Sequence, residues 1–240
     1  MNKIESFDFE PGRVFANKYE IVDLIGYGWE GEVYKIIERP TGIERAAKFL
    51  YPQRNMKDKT AVMYAKKLHR LRHCPVIIQY HTRETVIYKK CKVAMLVSEY
   101  VDGEQLTSFI NRQPGKRLMP FQALHLLHSL VVGLQQIHLL NEYHGDLHEG
   151  NILVNRFGLG FELKLIDIFQ QPGTKKENMK SDILHAINIF YWALGGKKHY
   201  ANQPNLVKNI CKGLRHDLIL QQFPSSAHLR EYIENACWDD

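Results

Sequence analysis

The chain has no apolar run approaching the roughly 20 residues that cross a bilayer, so no membrane-spanning helix and no membrane partner are expected. Its first residues, MNKIESFDFEPGR, are polar and partly acidic, unlike a signal peptide. Cysteine is scarce. Cys74, Cys91, Cys211 and Cys237 stand far apart and form no CxxC pair, which argues against a zinc site or a disulfide framework. Reduced thiols and a cytoplasmic location are the expectation. Internal repeats and low-complexity tracts are also lacking.

What is present is an ordinary globular balance, 45% hydrophobic and 24% charged over 240 residues. The formal charge is +6 and the isoelectric point about 9.0, which favours an anionic partner. Specific nucleic-acid binding is not expected. Much of the excess sits in residues 57–73, where Lys57, Lys59, Lys66, Lys67, Arg70 and Arg72 accompany His69 and His73. Such a run is either a solvated helix face or a docking face for an acidic partner.

Hydrophobic patterning divides the chain. KYEIVDLIGYG and GEVYKIIER alternate apolar and polar residues around a glycine-rich turn, the pattern of a hairpin. IERAAKFLY, ETVIYKK and KVAMLVSEYV read as further strands. MKDKTAVMYAKKLHRLRH has helical spacing through Val62, Ala65, Leu68 and Leu71. The second half reads as helices, with a long one entered through Pro120 and left near Asn141. EYHGDLHEGNILVN is a loop running into a short strand, and FELKLIDIF is its expected partner. SDILHAINIFYWALGG is a helix closed by Gly195 and Gly196. Phe190, Tyr191 and Trp192 are its expected core residues. A strand-rich part followed by a helix-rich part predicts an α+β chain, joined near residues 100–103, with a ligand in the cleft between.

Four features carry chemistry. GYGWEGEV, residues 26–33, lies between two strands, which excludes a dinucleotide-binding turn opening a helix. Its glycines suit close backbone approach to phosphate, or simply a hairpin turn. Lys48 could neutralise a nucleotide's phosphates, or be a surface lysine. In HGDLHEGN, Asp146 can accept a hydroxyl proton and Asn151 can offer an amide oxygen to a hard cation. Both types also favour ordinary turns. Asp167, at the end of the apolar strand LKLIDIF, needs a partner, for which Mg²⁺ or a capped backbone would serve. His144 reads as a core histidine, although its spacing to His148 would suit a metal on a helix.

In this order, the motifs resemble those of the protein kinase superfamily from about Lys18 to Gly196. GYGWEGEV resembles G-x-G-x-x-G-x-V, AAK the strand lysine, HGDLHEGN the H-R-D-L-x-x-x-N loop, and DIF the D-F-G triplet. The resemblance implies a two-lobed fold, with residues 1–17 as an N-terminal extension, 18–101 as a β-rich lobe and 102–240 as a reduced helical lobe. It implies ATP and Mg²⁺ as cofactors and transfer to Ser/Thr of a protein. Gly26, Gly28 and Gly31 would cover the phosphates, and Lys48 would hold them. Val33, Ala46, Ser98, Glu99, Val101 and Leu153 would surround the adenine. Asp146 would be the base, Asn151 and Asp167 the metal ligands, and Asp182 the anchor of the catalytic loop.

The pattern departs at four points. No acid stands near Tyr64 or Ala65, where the lysine's glutamate would lie; either another acid serves, Glu84 being a candidate, or none does. Gly145 replaces the arginine before the catalytic aspartate, so a phosphate-operated activation loop is not expected. Phe169 replaces the glycine of the triplet. The stretch between Asp167 and Asp182 is short and lacks APE. The HGDLHEGN wording also resembles aminoglycoside phosphotransferases, so a small-molecule acceptor is an alternative, and the missing glutamate makes a nucleotide-binding pseudokinase another.

Overall fold

A computed structural model describes residues 3–158 and 160–236. Cys237 and the rest of the C-terminus lie outside them. The chain forms two compact units, residues 1–72 with 78–102, and residues 73–77 with 103–240. None of the described helices is long and apolar enough to cross a membrane.

The first unit is a six-stranded antiparallel sheet with one helix. Its strands are β1 (Val14–Phe15), β2 (Tyr19–Tyr27), β3 (Gly31–Glu38), β4 (Ile43–Leu50), β5 (Tyr80–Tyr88) and β6 (Cys91–Glu99), in the order β1-β2-β3-β4-β6-β5. The alternation in β3 and β4 sends Tyr34, Ile36, Ala47 and Phe49 into a core that is almost entirely shielded from solvent. On the opposite face, cross-strand pairing aligns Val33 with Lys48, Ala46 with Ser98, and Lys48 with Leu96.

The stretch expected to be an extension contributes to this core. Ile4, Phe7, Phe9 and Phe15 are buried, and Phe9 packs on Phe49 and Tyr88 at centroid distances of 4.8 and 5.1 Å. Arg13 lies over Phe9 and Phe15, 5.0 Å from each centroid. The segment is also tied by its main chain. Glu32, only 4% exposed, accepts hydrogen bonds from the Phe7 N–H and Tyr51 Oη, both 2.9 Å, and from Tyr34 Oη. Burial, then the bond to Glu32, pushes both tyrosine hydroxyls above their ordinary value, so they remain donors.

The helix, α1 (Lys59–Arg70), buries Ala61, Tyr64, Lys67 and Leu68, followed by Leu71. The expected stripe holds at Leu68 and Leu71, but its first two positions are one residue out: Ala61 and Tyr64 are buried in place of Val62 and Ala65, and Val62 is 40% exposed. Tyr64 decides this: its ring offers more area to bury than either Val62 or Ala65.

The second unit begins with residues 73–77, where Ile77 bridges to Leu165 and the Leu165 N–H donates to the Val76 carbonyl. Next come β7 (Glu104–Gln105), α2 (Leu106–Asn111) and α3 (Pro120–Leu139), the last with Pro120 at its first turn. A small antiparallel sheet pairs β7 with β8 (Ile152–Phe157) and β8 with β9 (Gly160–Leu165). The helix expected over residues 181–196 is α4 (Lys175–Ala193), which starts earlier. Thr174 and Glu177 form a capping box there. Phe190 is fully buried in it, whereas Tyr191 and Trp192 are half-buried. The tail forms α5 (Lys197–Tyr200), α6 (Asn205–Cys211), α7 (His216–Gln222) and α8 (Ser226–Glu234). Leu124, Leu127, Leu130, Leu134 and Ile137 of α3, with Ile183, Ile187 and Phe190 of α4, are core residues of this unit.

Candidate active site

In the first unit, the glycine-rich turn links β2 to β3 and is closed by the Gly28 N–H donating to the Gly31 carbonyl at 2.9 Å. The three glycines are there for different reasons. A Cβ on Gly31 would lie 1.9 Å from the Phe49 carbonyl oxygen, so close strand packing demands this glycine. A Cβ on Gly28 would meet nothing within 4 Å, and one on Gly26 only the Val33 Cβ at 3.8 Å. Tyr27 and Trp29 at the tip are 84% and 66% exposed.

Lys48 Nζ lies 3.0 Å from Oε2 of Glu30, with the Tyr64 ring 5.1 Å away. The candidate Glu84 sits on β5 and pairs with Lys18 at 3.5 Å. Val33, Ala46, Lys48 and Ser98 share one sheet face, joined by the buried Leu96, which sequence reasoning did not single out although its period-two position marks it. Glu99 ends β6, its N–H donating to the Gln79 carbonyl and its carboxylate accepting the Gln79 N–H. Val101 follows two residues on.

In the second unit, residues 143–151 and 165–171 are knitted together. The Ile166 N–H donates to the Asn151 carbonyl at 3.0 Å, His144 Nε2 donates to the Ile166 carbonyl at 3.0 Å, and the Phe169 N–H donates to the His144 carbonyl at 2.9 Å. Gln171 Nε2 adds a bond to the Gly145 carbonyl at 2.8 Å. Asp167 lies between these tied residues, with a left-handed φ of 55° that asparagine and aspartate tolerate better than most residues. Leu153, on β8, is half-buried two residues beyond Asn151.

Asn151 Nδ2 donates to the Asp146 carbonyl at 2.8 Å and to its Oδ2 at 3.2 Å. With the amide nitrogen so engaged, Oδ1 is the atom of Asn151 left to accept. Asp146 is solvent-facing, its side chain 52% exposed. An amide oxygen and the Asp167 carboxylate are the hard oxygen donors that Mg²⁺ prefers, so these residues fit that ion. His144 and His148 do not form a metal pair. His144 is fully buried, and its Nδ1 accepts the Asp146 N–H at 3.2 Å. His148 is exposed and uses Nδ1 to cap the turn at Glu149–Asn151. Among the described residues no group of three His, Cys, Asp or Glu side chains could hold a metal.

Behind the loop stands Asp182 of α4, fully buried. Its Oδ2 accepts the His144 N–H at 2.7 Å and His138 Nε2 at 3.2 Å; its Oδ1 accepts the Gly145 N–H at 3.1 Å. Burial pushes this carboxyl up, but the His138 bond and the two imidazoles outweigh it and leave the group below its ordinary value. His138 Nδ1 continues to Ser226 Oγ at 3.0 Å. The substitution at Gly145 also has a physical reason. Its φ is +88°, and a Cβ there would lie 2.4 Å from the Phe169 carbonyl oxygen and 2.9 Å from the Tyr143 ring. An arginine has no place in this loop.

A sheet carrying a glycine-rich turn and a half-buried lysine, and a helical unit carrying an Asp–Asn loop, are the parts of one large class of ATP-using proteins. The protein kinase domain matches residues 19–182, and the chain belongs to that family. It is 31% identical over 179 residues to the serine/threonine-protein kinase STK11 of Gallus gallus, covering 70% of this chain and 39% of that one. It is 30% identical over 167 residues to the serine/threonine-protein kinase dst4 of Dictyostelium discoideum, covering 69% and 31%. The chain spans less than half the length of these relatives. The PknI kinase domain of Mycobacterium tuberculosis shares the fold, with a TM-score of 0.67 at 21% identity over 94% of this chain and 97% of that one.

Proposed function

We propose that the chain is an ATP- and Mg²⁺-dependent phosphotransferase that moves the γ-phosphate to a serine or threonine hydroxyl of a protein. The observation that supports this best is the knitted loop of the second unit, which ties Ile166, next to Asp167, to the Asn151 carbonyl and leaves the Asp146 carboxylate facing solvent. Asn151 Oδ1 and the Asp167 carboxylate would hold Mg²⁺, which neutralises charge on the phosphates when bound. Asp146 takes the acceptor's proton as its oxygen forms the new bond to phosphorus and the bond to ADP breaks. Lys48 binds phosphate oxygens, and the backbone of the glycine turn donates N–H groups to them. Val33, Ala46 and Leu153 offer an apolar surface to adenine, with Ser98, Glu99 and Val101 at its edge.

Radiolabelled ATP with Mg²⁺ and a generic protein acceptor tests the reading. Asp167→Ala should abolish transfer. Asp146→Ala should lower it by about 10²–10⁴ while sparing ATP binding. Full activity in both variants refutes the assignment.

One observation favours a second acceptor class. Residues 168–174 alone separate Asp167 from the start of α4, and they are tied to the loop through Phe169 and Gln171. A segment this short offers little surface to a peptide, so a small hydroxylated molecule is the alternative. Labelled ATP offered with small-molecule extracts distinguishes the two.

A further inference from the structure

Lys48 meets an acid that neither α1 nor β5 supplies. Glu30 comes from the glycine turn, and both partners are well shielded, their side chains 12% and 17% exposed. Solvent screens such a pair less than one on the open surface. The turn also brings Glu30 there by its main chain. The Tyr51 N–H donates to the Glu30 carbonyl at 2.9 Å, just past the end of β4. Next door, the Arg54 guanidinium stacks on Trp29, 3.8 Å from the ring centroid. Gly31 abuts the Phe49 carbonyl on the other side. Across the ammonium, α1 presents the Tyr64 ring rather than a carboxylate.

We infer that Glu30 is the positioning residue for Lys48: a carboxylate on the phosphate-covering turn orients the ammonium. The inference rests on the phosphotransfer reading above. An ammonium has three donors, so one can engage Glu30 while others reach phosphate oxygens. Because the acid rides on the turn, the lysine's orientation is coupled to closure of that turn over nucleotide, and not to displacement of α1.

The test uses the full chain with Glu30→Gln, which is nearly isosteric, with Glu30→Asp, and with Glu30→Gln combined with Tyr64→Glu, which returns an acid from α1. Transfer from ATP is measured together with the rate at which an amine-reactive ester acylates Lys48, read by peptide mass spectrometry. Glu30→Gln should lower kcat/KM by roughly ten- to a hundred-fold, the worth of one charge-assisted hydrogen bond. Its thermal midpoint should stay near that of the wild type, and Lys48 should acylate several-fold faster. Glu30→Asp should fall between, and the double variant should recover both activity and protection. Wild-type kcat/KM and wild-type acylation in Glu30→Gln overturn the inference, as does a double variant with no recovery. A wild-type protein that transfers no phosphate sinks the phosphotransfer reading instead, and the acylation rates then decide the ion pair alone.

Discussion

Replacing Asp182 removes the acceptor that three buried donors share. In Asp182→Ala the N–H groups of His144 and Gly145 and the Nε2–H of His138 lose partners at 2.7, 3.1 and 3.2 Å. A buried donor left unsatisfied costs about 1–3 kcal/mol, and water entering the vacated space offsets part of this. The total is about 4 kcal/mol, a large share of the roughly 5–15 kcal/mol that holds a domain folded. Asp182→Asn keeps an oxygen for two donors and sets its amide against the third, at a cost of about 2 kcal/mol. In a chain of this size those losses lower the melting temperature by about 8–16 °C and 4–8 °C. Urea titrations followed by circular dichroism measure both. The carboxyl is held below its ordinary value of 3.8, so its contribution is complete above that pH and is lost as pH falls through the folded-state value. The gap between wild type and Asp182→Asn should therefore narrow in acid. A loss below about 1 kcal/mol for Asp182→Ala, or a gap that widens in acid, refutes this account.

Three further outcomes are expected. Restoring the family's arginine with Gly145→Arg should destabilise by about 3 kcal/mol or more in urea and gain no activity, because φ is +88° and the Cβ meets a backbone carbonyl. Gly31→Ala should lose stability by several-fold more than Gly28→Ala, since only the former strikes the Phe49 carbonyl; Gly28→Ala should fold normally, as thermal melts would report. Among the described cysteines, peptide mapping after a short thiol-labelling pulse should find Cys91 modified first. Burial pushes the Cys211 thiol up to about 12 and raises that of Cys74, leaving both as inert thiols.

The strands were legible because alternation is a local signal: β2, β3, β4 and β6 fall where the apolar–polar pattern puts them, whereas β5 starts four residues before the expected ETVIYKK and ends ahead of Lys89. The loop from His144 to Asn151 and the end of β9 were legible as motifs. The early start of α4 was not, since KKENMK carries little apolar periodicity, yet Thr174 and Glu177 at capping-box spacing were the signal. The start of the α1 stripe was misregistered, although Leu68 and Leu71 are buried as expected, because two faces compete there and packing of Tyr64 selects between them. The burial of Phe7 and Phe9 hid behind the acidic residues around them; their alternation was too short to outweigh that charge. The pairing of Glu30 with Lys48 could not be read at all. It depends on how a turn bends against the end of β4, which no spacing rule encodes.

Three aspartates that look alike in sequence stand in different surroundings. Asp182 is fully buried and saturated by donors from its own unit, so its charge is spent on holding residues 144 and 145. Asp146 directly follows residue 145, yet its side chain is half exposed and its Oδ2 accepts a hydrogen bond from Asn151 Nδ2. Asp167 has a left-handed φ of 55° in a stretch of backbone tied to the loop through the bonds of Ile166 and Phe169. Under the proposed function Asp146 and Asp167 would be the groups offered to chemistry, and Asp182 would support the loop that carries Asp146.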